Sequence, residues 1–185
     1  MLRLLIVWAV VASTLVGCTT IAPAPIMAVN ATRAQAFRLE ARLSVRQAQK
    51  IDAANLVWTK SATAQTLNIT GPLGVQVAKI SQSSGEVAIL SRGDSVPEAR
   101  AETVDALLTQ ALGVAINVER IIDWIQLIGL PPNGDMVTLK IDETDWQVSA
   151  ETTQILDGQT IAQRVVARSG DITIKLFVDG WKNLK

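Results

Sequence analysis

The chain has 185 residues, 17 Lys plus Arg against 17 Asp plus Glu, no histidine, no tyrosine and one cysteine. Zero net charge without a basic run argues against nucleic acid and against electrostatic capture by anionic lipid. A lone cysteine excludes an intramolecular disulfide.

The first eighteen residues read MLRLLIVWAVVASTLVGC. Arg3 supplies a positive start, Leu4 to Val11 form an apolar run too short to span a bilayer, and small or polar residues follow, as in a secretory signal. Its ending, Leu15-Val16-Gly17-Cys18, resembles the bacterial lipobox, which is cut before a cysteine that carries diacylglycerol. The alternative is an ordinary signal with a chance cysteine. A free exposed thiol is a liability in an oxidising compartment, whereas a thioether to lipid is inert. Each buried acyl methylene contributes roughly 0.8 kcal/mol, so the several chains of a bacterial lipoprotein hold it firmly on a membrane.

The expected division is therefore a signal peptide over 1–17, a lipidated N-terminus and tether over 18–30, and a single domain over 31–185. Diacylglycerol and an N-acyl group on Cys18 are covalent modifications, and no cofactor is expected. Removal of Arg3 with the signal leaves a net charge of about minus one. Thr19 replaces the aspartate that retains such proteins in the inner membrane, which implies the outer membrane, facing the periplasm. The tether TTIAPAPIMAVN is rich in small residues and carries Pro23 and Pro25. At roughly 3.3 Å per residue, the steps from Cys18 to Phe37 reach about 60 Å at most.

From Phe37 the dominant signal is period two. In FRLEARLSV, Phe37, Leu39, Ala41, Leu43 and Val45 share one face while Arg38, Glu40, Arg42 and Ser44 share the other. Similar runs occur at Ala54–Lys60, Gln65–Thr70, Val75–Ser81, Glu86–Ser91, Met136–Ile141, Asp145–Ala150, Ile161–Arg168 and Ile172–Trp181. So many twisted strands predict one large curved sheet or barrel. Between Pro97 and Pro132 the period changes. Val104, Leu107, Leu108, Ala111 and Leu112 predict one amphipathic helix stopped by Gly113. Asn117 caps a second, with Val118, Ile121, Ile122 and Ile125 on one face and Trp124 and Ile128 widening it. These stripes predict helices on the concave side of the sheet.

No Gly-rich phosphate loop or Ser-centred elbow is present, and Asp142, Glu143 and Asp145 read as solvated charges in a turn. An enzyme is not expected, and nothing spaces the carboxylates like a calcium loop.

The lipobox, FRLEARLSV, NLVWTK, LNITGPLGVQVAKI, the helix ending ALG, DWI, GLP, DWQV and ITIKLFVDGW occur in one order. In that order the chain resembles the LolB family of outer-membrane lipoprotein receptors over nearly its whole mature length. The resemblance implies a mostly β protein with α: a half-open antiparallel β-barrel, one curved sheet, closed by a helical lid. It implies acceptance of lipoproteins from the periplasmic carrier LolA, an apolar cavity for their acyl chains and release into outer-membrane lipid, without nucleotide. A monomer is expected. An outer-membrane-anchored carrier of free lipid or glycolipid, and a structural lipoprotein of an envelope assembly complex, are the alternatives.

Within Gly71-Pro72-Leu73-Gly74 the resemblance assigns Leu73 to membrane insertion. From the residues alone it either projects or folds back over the rim. The candidate acyl-cavity lining is Trp58, Leu107, Leu108, Ile121, Ile122, Trp124, Ile125 and Trp146, with core packing as the alternative. Trp181 has the same two readings, and Arg42 falls on the polar face with no ligand role. Three departures from the family are visible. A short lead confines its N-terminal helix to about Ala28–Phe37, extra residues follow Trp124, and the tyrosines usual after DWQV are missing.

Overall fold

The computed structural model describes residues 33–92, 96–112, 117–141 and 143–184. Cys18 and the tether, Gly113 and Asp142 lie outside the described residues. Six strands come first: β1 (Phe37–Gln47), β2 (Lys50–Lys60), β3 (Ala64–Thr70), β4 (Gln76–Ser83), β5 (Ala88–Arg92) and β6 (Val96–Ala101). Helices α1 (Val104–Leu112) and α2 (Val118–Ile125) follow, then β7 (Val137–Ile141), β8 (Thr144–Leu156), β9 (Gln159–Ser169) and β10 (Ile172–Asn183).

All ten strands form one antiparallel sheet in the order β6-β5-β4-β3-β2-β1-β10-β9-β8-β7. The first and last strands meet in the middle, Phe37 opposite Asn183 and Gln47 opposite Ile172. The edges are β6 and β7, which do not pair with each other among the described residues, so the barrel stays half open. The helices are inserted in the chain between those edges, where a concave apolar face is available to them. Helix α1 packs on β4, β5 and β6, and α2 packs on β9.

Period two explains the core. In β1, Phe37, Leu39, Ala41, Leu43 and Val45 are all buried, while their even-numbered neighbours face outward. Trp58 and Leu67 continue the same layer across β2 and β3, facing each other in register. Leu107 and Leu108 of α1 and Ile121, Ile122 and Ile125 of α2 close it from above. A bulge leaves Asp179 unpaired between the Glu40–Gly180 and Ala41–Val178 pairs, which aims its carboxylate at Arg42 on the outer face.

Four elements differ from the sequence expectation. Residues 33–36 are not helical and Phe37 opens a strand, so the described part of the expected Ala28–Phe37 helix is absent; 28–32 lie outside the described residues. Strand β6 was not expected, because Pro97 masks it and its short alternation carries only Ala99 and Ala101 on the apolar side. An edge position tolerates that proline. Strand β8 continues to Leu156 and turns through Asp157 and Gly158, at φ 50° and 75°, as a two-residue hairpin. Gly158→Val should therefore cost about 1–2 kcal/mol, since L-residues resist this region, and a chemical-denaturation midpoint checks it.

The fourth is the end of α2. The helix stops at Ile125, with Ile128 N–H on Asp123 O (2.8 Å) and Leu127 N–H on Trp124 O (3.1 Å). Those are the two bonds of a Schellman cap, with Leu127 at φ 60° where glycine is usual. Ile128 thus lies beyond the helix rather than on its apolar face.

Candidate acyl-binding face and membrane rim

The two helices leave two openings on the concave side, one on each flank of α1. The first, about 310 Å³, lies between the start of both helices and β7–β10. Its apolar wall comprises Ile121, Trp124, Ile141, Trp146, Ile172 and Ile174. Asp105, Thr109, Asn117, Arg120, Thr144 and Ser169 make its lining partly polar. Trp124 and Trp146 stand 6.4 Å apart, tilted by 47°. The second, about 450 Å³, runs from Gln110 and Ala111 of α1 to Leu43, Val45, Ala54, Ile69, Gly71, Pro72 and Val77. Both fall at the small end of the range of about 300–1,000 Å³ typical of small-molecule pockets.

Of the eight lining candidates, Ile121, Trp124 and Trp146 border the first cavity. Trp58, Leu107, Leu108, Ile122 and Ile125 border neither and are packed in the core. Trp58 meets Phe37 edge-on at 5.2 Å, and Phe37 stacks on Trp181 at 4.9 Å, so these rings fill the core over β2, β1 and β10 at the Phe37 end of the sheet. The contributions of Ile141, Ile172 and Ile174 were not anticipated. Their alternation marked them as inward-facing, but only the helix positions overhead decide which inward residues remain uncovered.

Gly71-Pro72-Leu73-Gly74 closes the β3–β4 hairpin as a β-turn, with Gly74 N–H on Gly71 O at 2.9 Å and Gly71 N–H on Val75 O at 2.8 Å. Pro72 takes the second position, Leu73 keeps a negative φ, and Gly74 adopts φ 78°, where nothing but glycine is unstrained. Leu73 is 93% exposed. Val75 and Ile51 add exposed apolar surface, and Ile51 belongs to the adjoining β1–β2 hairpin. The registers place the β1–β2, β3–β4, β7–β8 and β9–β10 turns at one end of the sheet. Phe37, where the tether enters, is at the other.

Arg42 lies on the outer face in a two-point pair with Asp179, both bonds 2.9 Å, and over the Phe177 ring. Hydrogen bonding to Asp179, then its charge, raises the Arg42 pKa above its ordinary value. It takes no part in the concave face.

An open antiparallel sheet cradling two helices on an apolar concave side defines the LolA/LolB-like fold. Its architecture matches a LolA superfamily protein from Nitrosomonas europaea (TM-score 0.50, 12% identity, 83% of this chain and 88% of that one). It also matches a DUF1329 family protein from Desulfovibrio piger (TM-score 0.51, 10% identity, 81% and 86%). The family model for outer membrane lipoprotein LolB matches residues 35–181. Outer-membrane lipoprotein LolB of Thiobacillus denitrificans is 30% identical over 98% of this chain and 99% of its own length. Its namesake from Shewanella sp. (strain MR-7) is 27% identical over 91% and 84%. The chain belongs to the LolB family.

Proposed function

We propose that this protein is an outer-membrane-anchored receptor that takes lipoproteins from a LolA carrier, shelters their acyl chains on the concave face and delivers them to the bilayer. The observation that carries the reading is the pairing of an apolar concave face with a 93% exposed leucine at the hairpin end of the same sheet. Ile121, Trp124, Trp146, Ile172 and Ile174 offer the acyl chains dry contact. The polar residues beside them suit the ester and amide groups at the acyl roots. Lipid on Cys18 keeps the domain near its target membrane. Phe37 and Leu73 lie at opposite ends, and β1 spans about 35 Å at roughly 3.3 Å per residue. The stretch from Cys18 to Arg33, at roughly 3.3 Å per residue, reaches about 50 Å and lets the Leu73 end touch the membrane that holds Cys18.

Binding of a synthetic tripalmitoylated lipopeptide to the mature chain tests the reading. Ala106 borders the first cavity yet is exposed, so Ala106→Trp fills space without disturbing the core. It should weaken lipopeptide binding about tenfold, the usual worth of a few lost methylene contacts at about 0.8 kcal/mol each, while leaving the melting temperature unchanged. Undiminished binding would remove the first cavity from the account.

A further inference from the structure

Arg33 lies just ahead of the matched family region, which begins at residue 35. Its guanidinium grips α2 at two places. Nε and Nη2 donate to the two carboxylate oxygens of Asp123 at 2.7 and 2.6 Å, and Nη1 donates to Glu119 at 2.5 Å. Glu119 also accepts from Lys60 of β2 at 2.5 Å, so the network runs from the N-terminal segment through α2 into the sheet. Next in the chain, Ala34 N–H donates to the side chain of buried Gln126 at 2.7 Å. Asp123 itself is 4% exposed.

Helix α1 is held differently. Val104, Leu107 and Leu108 pack it on β4–β6, and Asp105 accepts from the first N–H of α2 at 2.9 Å. Apolar contact is non-directional, so the methylenes of an acyl chain can replace it. They offer nothing to a guanidinium–carboxylate pair, and parting that pair would leave buried Asp123 only its longer contact to exposed Arg120, at 3.5 Å. Among the described elements only α1 borders both cavities, through Ala106 and Thr109 on one flank and Gln110 and Ala111 on the other.

We propose that Arg33 is a positioning residue that clamps α2 as the fixed wall of the lid, so that an entering acyl ligand displaces α1 and joins the two cavities. This rests on the acyl-binding reading above. Amide hydrogen exchange on the mature chain, with and without the tripalmitoylated lipopeptide, tests it, with native mass spectrometry reporting whether lipopeptide is bound. In the wild type, bound lipopeptide should alter exchange across 104–112 while 118–125 keeps its slow rates. Without ligand, Arg33→Met paired with Asp123→Asn, which leaves no unpaired buried charge, should speed exchange in α2 about tenfold with α1 little changed. Arg33→Lys should keep most of the protection. Bound lipopeptide that loosens α2 as much as α1, or a double variant with unchanged α2 exchange, overturns the clamp. Failure of lipopeptide to bind at all overturns the acyl-binding reading instead, and the ligand-free comparison still judges Arg33.

Discussion

Leu73→Glu is expected to leave acyl-chain uptake intact and to cut delivery into membranes about ten- to a hundredfold. Burying one leucine is worth about 1.5–3 kcal/mol, and each 1.4 kcal/mol is a factor of ten. That is too little to anchor a domain, but enough to set how often a tip already near the bilayer enters it. Because the side chain is 93% exposed and the turn is held by Pro72, Gly74 and two backbone bonds, the substitution should change stability by less than about 0.5 kcal/mol. Delivery to liposomes, measured separately from lipopeptide uptake, separates the steps. Equal loss in both would make Leu73 a structural residue.

Trp58→Ala should destabilise the fold by about 3–5 kcal/mol, a large share of the 5–15 kcal/mol that holds an ordinary domain together. Trp58 is 1% exposed, sits between Leu39 and Leu67 on neighbouring strands, and meets Phe37 edge-on, while Phe37 stacks on Trp181 of β10. Through Phe37 its ring thus ties β1 and β2 to the last strand, where the start of β1 faces the end of β10. Truncation would leave a cavity that rigid strands cannot close. Urea unfolding gives the value, and a loss below about 1 kcal/mol would show that this region repacks.

The sheet was legible because alternation is a local signal: the inward residues of β1, β2 and β3 can be read two by two. The same logic explains what was missed. Pro97 hides β6 because edge pairing, a tertiary fact, is what makes proline acceptable there. The Asp157-Gly158 pair is a strong hairpin signal, yet the polar run Glu151 to Gln154 ahead of it obscures the long β8. Helix α2 ends through a left-handed leucine, which no sequence rule favours. In the candidate site, the apolar stripes of both helices were readable, but not which residues of each stripe stay uncovered. Trp124 and Ile121 border a cavity while Ile122 and Ile125, one turn away or less, do not. The Arg33 network joins residues 86 and 90 positions apart, and nothing local marks it.

Transfer between proteins tests the receptor function most directly. Purified LolA carrier loaded with a lipoprotein is mixed with the soluble form of this chain that begins after Cys18, without nucleotide, and the cargo is followed by affinity separation. Cargo should move onto this protein, because its concave face must hold acyl chains more tightly than the carrier does for transfer to run downhill. Cargo that stays on the carrier would contradict the receptor function.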